Sequence, residues 1–225
     1  MSPNEIIFID LGTVEYGLCH RLMLKLLEER VANEIGDTVL LLEHQDVYTL
    51  GRRGRDENIF DRSIPVYKVE RGGDATYHGP GQLVVYPIVS LAELKLGVAE
   101  FVNLLEEATI RTLADFSISA GRVEGKPGVW VTQRKIASIG LAVKNWVTYH
   151  GLALNVNTDL SKFDGIRPCG MESHVMTSMA RIKGESLNIS DVKKSLIVHF
   201  SSLLGKKPAY LKKTAEEVLE TAKVI

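Results

Sequence analysis

The chain has 225 residues, of which 45% are hydrophobic and 24% charged, and its formal net charge at pH 7 is −1. These values are typical of a globular protein with a sizeable core, and the near-zero charge excludes a strong general attraction to nucleic acid or anionic membranes. No apolar run reaches the roughly 20 residues of a membrane span, the first residues lack the basic segment of a signal peptide, and two cysteines make no disulfide framework. We therefore expect a cytoplasmic protein with no membrane or nucleic-acid partner.

The first half of the chain alternates apolar, β-branched runs with one strongly periodic segment. The runs predict strands over Ile6–Leu11, Thr38–Glu43, Val47–Leu50, Ile64–Val69 and Leu83–Val89. Leucines four residues apart predict a helix over Tyr16–Ala32, where Cys19 is expected to be a packing residue. A second periodic segment predicts a helix over Val98–Phe116.

The second half begins with three successive strands and ends in helices. The strands are predicted at Gly128–Thr132, Lys135–Val143 and Trp146–Val156, with Lys144 and Asn145 as the last turn. Helices are predicted at Asp191–Leu204 and Thr214–Lys223, the first with Ser190 as N-cap and Gly205 near its end. The simplest architecture is a single α/β (α+β) domain over residues 1–225, in which a mixed sheet is covered by helices, the C-terminal ones from about residue 190.

A glycine-rich stretch, Val69–Pro87, holds two glycine pairs between two predicted strands. Glycine allows tight turns and a close approach of the backbone to a ligand. With Arg71, Tyr77 and His78 nearby, the stretch fits a binding rim on a sheet, and it fits a plain hairpin equally well.

Cys169 is the best candidate for a nucleophile, since Pro168 and Gly170 on either side favour a sharp turn that presents the thiol. Only the thiolate attacks, so a nearby base or cation is needed. Lys135 begins an otherwise apolar strand and would serve that purpose if it pointed into a pocket. A solvated lysine at a strand end and an incidental loop cysteine are the simpler interpretations.

The remaining motifs argue against cofactors. The six histidines show no HxxxH spacing and no CxxC is present, so we expect no metal site. A GxxxxGK[ST] phosphate loop is missing, which disfavours ATP or NAD as cofactor. His78 and His150 each precede a glycine, and each is either a pocket donor, an alternative base for Cys169, or a structural histidine.

Four segments in this order and spacing resemble the lipoyl(octanoyl) transferase family: RGGDATYHGPGQLVVYPI, RKIASIGLAV, HGLALNVNTDL and PCG. The earlier EHQDVYTLGRRG is also similar, so the resemblance runs from about Ile6 to Met179. It implies a fold similar to the catalytic domain of biotin and lipoate protein ligases.

The resemblance also implies a reaction, with no cofactor. An octanoyl group passes from octanoyl-acyl carrier protein to a lysine of a lipoyl domain, in 2-oxoacid dehydrogenase complexes or the glycine cleavage H protein, and the enzyme is expected to be a monomer. Cys169 would form the acyl-thioester and Lys135 would lower its pKa and handle protons. The acyl-binding residues implied are Arg71, Gly72, Gly73, Asp74, Ala75, Thr76, Tyr77, His78, Ser138, Ile139, Gly140, Gly151, Leu152 and Ala153.

Three alternatives remain open. An ATP-dependent lipoate ligase of the same fold would need a nucleotide cradle and would not need Cys169. A non-catalytic protein that binds acyl carriers or lipoyl domains would not need Cys169 and Lys135 together. A cysteine hydrolase would pair Cys169 with His78 or His150, but the sequence has no local signature for one.

Overall fold

The fold is a large mixed sheet with helices on both faces and a smaller sheet beside it. The structure, a computed structural model, describes residues 4–168 and 171–221. The strands are β1 Glu5–Val14, β2 Thr38–His44, β3 Val47–Leu50, β4 Val66–Lys68, β5 Ala75–His78, β6 Gln82–Ile88, β7 Gly121–Val123, β8 Lys126–Val131, β9 Arg134–Lys144, β10 Val147–Asn155 and β11 Lys207–Lys212. The helices are α1 Tyr16–Val31, α2 Leu91–Leu94, α3 Val98–Asp115, α4 Met179–Lys183, α5 Ile189–Leu204 and α6 Ala215–Thr221.

Within these residues the large sheet has the order β11-β1-β2-β6-β10-β9-β8-β7, and the small sheet has the order β4-β3-β5. In the large sheet β1 runs parallel to β2 and β11, and the other pairs are antiparallel. The predicted mixed sheet is therefore confirmed.

Both faces of the large sheet are buried, which explains why its central strands are almost continuously apolar. On one face Ile6 and Phe8 of β1 join a core cluster with α3 and α5. On the other face Ile7 and Ile9 join a cluster with α1 and α6, and this cluster includes the fully buried Cys19. The packing interpretation of Cys19 is thus confirmed. None of the helices in the described part of the chain is long and apolar enough to cross a membrane.

The structure corrects three local predictions. The N-cap of α5 is Asn188, whose side chain accepts from the Ser190 backbone N–H, so Ser190 is not the cap. The hairpin turn after β9 lies one residue later than predicted, because Asn145 and Trp146 both have positive φ, 49° and 63°, as a type I′ turn requires. β11 was not predicted, because the lysine at each of its ends and Pro208 leave no apolar strand pattern. These residues are typical of an exposed edge strand.

The glycine-rich stretch is not a hairpin. Its middle forms β5, which pairs with β3 in the small sheet, whereas the following β6 lies inside the large sheet. The stretch therefore crosses from one sheet to the other, and the backbone of Gly72 donates to the carbonyl of Leu141 on β9. This crossing encloses a space between the two sheets.

Candidate functional site

The enclosed space, here called the slot, has a volume of about 450 Å³ with its open mouth included. The end of β5, the strands β9 and β10, and the first residue of α1 surround it. Its lining residues are Tyr16, Arg71, Gly72, Gly73, Thr76, His78, Tyr86, Ser138, Ile139, Gly140, His150, Gly151, Leu152 and Ala153.

Most residues predicted to bind the acyl group line the slot, but three do not. Ala75 and Tyr77 pack into a separate core cluster, because side chains alternate along β5 and only Thr76 and His78 face the slot. Asp74 lies outside the slot, where its carboxylate accepts from the Asn58 side chain at 2.7 Å. The prediction included every residue from Arg71 to His78, although only alternate residues of a strand face the same side.

Three lining residues were not predicted as part of the acyl wall. His150 lies two residues before Leu152 on β10, so strand periodicity could have found it. Tyr86 and Tyr16 gave no local signal, because only the tertiary packing brings β6 and α1 to the slot. Tyr16 begins α1, which Glu15 caps by accepting from two backbone N–H groups at 2.7 and 2.8 Å.

Gly151 lets β10 pass close to β6 at the slot. A Cβ atom at this position would lie 2.3 Å from the carbonyl oxygen of Val85 and 2.6 Å from Cδ of Pro87. The Val85 carbonyl is part of the backbone of β6 and cannot yield, so the strand requires glycine here.

Arg71 holds the glycine-rich crossing in place. Its buried guanidinium donates to the carbonyl of Thr49 at 2.7 Å, to the Thr49 hydroxyl at 2.9 Å and to the carbonyl of Asp74 at 2.8 Å. Planar guanidinium groups suit such multiple contacts. One wall of the slot is therefore fixed by a charge that ties β3 to the crossing.

His44 sits behind the slot in its neutral form. Its Nδ1 lies 2.9 Å from the carbonyl oxygen of Val14, and because that oxygen can only accept, Nδ1 carries the proton and donates. A neutral imidazole has one donor and one acceptor nitrogen, so Nε2 accepts from the Tyr86 hydroxyl at 2.9 Å. Burial lowers the pKa of His44 to about 4. The tautomer fixes the direction of the hydroxyl of Tyr86, a slot residue.

This burial predicts a loss of stability in mild acid. Unfolded His44 takes up a proton near pH 6.5, while the folded side chain stays neutral down to about pH 4, so the unfolded state binds more protons in this window. We expect His44 alone to lower the free energy of unfolding by about 2 kcal/mol between pH 7 and pH 5. Urea unfolding at both pH values measures it. His44→Gln should show a correspondingly smaller loss, and an equal loss in this variant would contradict the assignment.

A chain of hydrogen bonds links the slot to the strand that carries Lys135. Nδ1 of His78 contacts Gln82 Oε1 at 2.7 Å, and the Gln82 amide donates to Asn155 Oδ1 at 3.0 Å. Asn155 in turn donates to the carbonyl of Thr177 at 3.0 Å, and the N–H of Thr177 donates to the carbonyl of Lys135 at 2.9 Å. Two buried amides therefore fix the backbone of Lys135 relative to the slot.

Lys135 is buried, with 4% of its surface exposed, which a solvated strand end would not show. Its Nζ lies 5.6 Å from the ring centroid of Trp130, a cation–π distance. A Cβ on Gly128 would come within 2.6 Å of Lys135 Cε, so glycine at this position leaves room for the side chain. The sequence-based interpretation of Lys135 as a simple solvated residue is wrong.

Lys135 lines a second, wider space, the outer groove, which also borders Arg53, Asp74, Val98, Val102 and Pro127. The outer groove and the slot share Gly72, Gly73, Ile139 and Gly140 as a common wall. The lysine and the slot are thus adjacent parts of one region.

Cys169 and the predicted turn around it lie outside the described residues, but the chain on both sides is anchored. Before it, the N–H of Arg167 donates to the carbonyl of Asn58 at 2.9 Å. After it, the buried Met176 forms a parallel β-bridge with Lys135. The chain seven residues beyond Cys169 therefore contacts the strand of the buried lysine.

Comparisons with known proteins agree with this geometry. Residues 15–201 match the model of the lipoyl protein ligase A/B catalytic domain. The octanoyltransferase of Pelobacter propionicus is 44% identical over 199 residues, covering 88% of this chain and 95% of that protein. The octanoyltransferase of Caldicellulosiruptor bescii is 46% identical over 205 residues, covering 87% and 90%.

Solved structures show the same fold at low identity. A lipoate-protein ligase A bound with ATP superposes with a TM-score of 0.72 at 16% identity, covering 97% of this chain and 94% of that one. A biotin protein ligase from Aquifex aeolicus with biotin and ATP gives a TM-score of 0.56 at 14% identity, covering 95% and 75%. The predicted similarity of fold to biotin and lipoate protein ligases is confirmed.

Proposed function

The chain belongs to the lipoyl protein ligase A/B catalytic-domain family, and from this membership we propose that it is an octanoyltransferase, as its curated relatives are named. The donor is octanoyl-acyl carrier protein. The acceptor is a specific lysine of a lipoyl domain, in 2-oxoacid dehydrogenase complexes or the glycine cleavage H protein. The observation that carries the mechanism is the buried Lys135, whose strand contacts the chain that follows Cys169.

In the first step the Cys169 thiolate attacks the carbonyl carbon of the donor thioester. A new C–S bond forms, the bond to the carrier thiol breaks, and the proton that Lys135 takes from Cys169 passes to the leaving thiolate. One thioester is exchanged for another of similar energy, so the step needs no ATP. Backbone N–H groups near the glycine turns are the proposed donors to the oxyanion of the tetrahedral intermediate.

In the second step the acceptor amine attacks the octanoyl-Cys169 thioester. The C–N bond of the amide forms and the C–S bond breaks, with the Cys169 thiolate as leaving group. Lys135 removes the proton that the amine must lose and returns it to that thiolate, so both residues regain their starting state. A nucleophile that forms and breaks a thioester divides one difficult transfer into two easier ones.

The slot is the proposed site of the octanoyl chain. Ile139, Leu152 and Ala153 supply apolar wall, and Gly140 and Gly151 allow a close approach to the backbone. Thr76 and His78 face the slot from β5, whereas Ala75 and Tyr77, which pack elsewhere, are not part of this wall.

We further propose that residues 1–225 act as one catalytic domain and as a cytoplasmic monomer. Two contacts support a single domain: α5 packs on α3 in the main core, and β11 extends the large sheet next to β1.

The test is the intact mass of the protein after mixing with octanoyl-acyl carrier protein in the absence of ATP. We expect a single octanoyl adduct, and hydroxylamine should remove it. When a lipoyl domain is added, the protein should lose the adduct and the domain should gain the same mass. Incubation with free octanoate and ATP is the control for the ligase alternative. Transfer that requires ATP and free acid would contradict the proposal, and so would binding of either protein with no transfer.

A further inference from the structure

Three side chains far apart in the sequence meet beside the slot: His20 of α1, Glu70 at the start of the glycine-rich stretch, and His150 of β10. Nε2 of His20 lies 3.3 Å from Oε2 of Glu70, and Nε2 of His150 lies 3.5 Å from the same oxygen. One ligand atom from each of the three residues falls within 4.8 Å of the others. We call them the His-Glu-His cluster.

His150 is the buried member, and its Nε2 has no hydrogen-bond partner among residues 4–168 and 171–221. The side chain is 2% exposed, and Nε2 is a buried polar atom that no other described residue reaches with a hydrogen bond. Its 3.5 Å contact with the carboxylate is longer than the usual 2.7–3.2 Å of an N–H···O bond. A buried polar atom in this state is costly unless something else satisfies it.

The backbone of His150 is unusual as well. Its φ is +55°, a left-handed value in the middle of a β-strand. Non-glycine residues adopt such values at some cost, and they persist where the surrounding structure requires them. At His150 this left-handed backbone conformation occurs together with a side-chain orientation that directs Nε2 toward Glu70.

The His20–Glu70 contact is a long hydrogen bond and the His150–Glu70 contact is longer still, and both distances also match the spacing of ligands around a divalent cation. In tetrahedral Zn²⁺ sites the ligands lie about 2.0–2.1 Å from the metal, so neighbouring ligand atoms are about 3.4 Å apart. The two measured edges of 3.3 and 3.5 Å lie on either side of this value. Two imidazoles and one carboxylate are also a known ligand set for zinc.

We propose that the His-Glu-His cluster is a binding site for a divalent transition-metal ion of the zinc type. It was not expected from the sequence because none of its ligands has a local spacing motif. Three protein ligands leave a fourth tetrahedral position for solvent. The site does not depend on the proposed transfer reaction.

The ion would bind at the end of the slot that is remote from Lys135. It would hold the surrounding segments together and take no part in acyl transfer. His150 pairs with Leu141 on β9, six residues along that strand from Lys135, which is about 20 Å at 3.3 Å per residue. The ligands come from three separate stretches that surround the slot. The ion would therefore fix the position of α1, whose Tyr16 lines the slot and stacks on His20 with ring centroids 5.9 Å apart.

The guanidinium of Arg71 is a nearby charge that opposes a cation. Its hydrogen bonds to Thr49 and to the carbonyl of Asp74 direct it to β3 and the crossing. The carboxylate of Glu70 offsets its charge. Two imidazoles then supply most of the ligand field, which suits the softer divalent ions.

The experiment measures metal binding directly, in the Cys169→Ala variant of the 225-residue chain, so that the thiol of that residue does not compete. Equilibrium dialysis against Zn²⁺ and titration with Co²⁺, followed by visible absorption, report stoichiometry and coordination. We expect one ion per chain and an increase in Tm with Zn²⁺, because the metal binds the folded state. Adding His20→Ala removes a ligand, so binding should weaken by more than the roughly 10–100-fold lost when a residue that only hydrogen-bonds to a ligand is replaced. Glu70→Gln should weaken binding to a similar extent.

His199→Ala is the matched control, because His199 is a similarly exposed histidine that contacts a single carboxylate, Asp115, at 2.9 Å. It should bind the ion like the parent. Circular dichroism of each variant checks folding. No binding by the parent, or equal binding by the His20→Ala and His199→Ala variants, would overturn the proposal. Neither result would bear on octanoyl transfer, which the adduct experiment tests separately.

Discussion

Cys169→Ala should abolish formation of the octanoyl adduct and reduce transfer to the lipoyl domain by roughly 10⁴–10⁶-fold, the loss typical of removing a catalytic nucleophile. Without the thiol, the acceptor amine must attack the donor thioester directly. Acyl carrier protein and lipoyl domain would then have to bind at the same time, and no covalent intermediate would divide the reaction into two steps. The measurement is single-turnover transfer followed by mass, with the variant and the parent at equal concentration.

The chain supplies a matched control in its other cysteine. Cys19 is fully buried in the core and burial raises the pKa of its thiol, so it is an inert packing residue. Cys19→Ala should form the adduct at the parental rate, even if it unfolds more easily. An adduct that persists in Cys169→Ala and disappears in Cys19→Ala would show that the nucleophile has been assigned to the wrong residue.

Lys135→Met should slow adduct formation at neutral pH by roughly 10²–10⁴-fold, the usual contribution of a positioned acid–base group. Methionine keeps an unbranched side chain in the space beside Gly128 but cannot accept a proton or stabilise a thiolate. The deficit should shrink as the pH rises toward about 8.5, where a free thiol ionises without help. A merely structural role for Lys135 would give a deficit that does not change with pH.

Lys126→Met provides the control for this experiment. Lys126 also lies over the ring of Trp130, at 5.8 Å from its centroid, but it is exposed. Its replacement should leave the rate unchanged, because a solvated lysine above the same ring has no access to the proposed thioester. Equal losses in the two variants would assign the effect to Trp130 and its packing.

The secondary structure near the site was largely predictable, because each element has its own periodicity. The range predicted for α1 differs from the observed helix by one residue, and Val47–Leu50 is the same in both. Ala75–His78 was not predicted as a strand, because glycines on both sides indicated turns and its partner β3 lies about 30 residues away in the chain. The pairing of two distant segments has no local signal.

The sequence by itself determined the mixed α/β fold, the packing role of Cys19 and the family resemblance, because apolar periodicity and motif spacing are local properties of a chain. Only the tertiary structure decided that Lys135 is buried, that the glycine-rich stretch crosses between two sheets, and that Ala75 and Tyr77 face away from the slot. It alone joined His20, Glu70 and His150. Burial and the meeting of distant side chains depend on how sheets and helices pack, and residues separated by 50 or more positions carry no mark of their contact in the sequence.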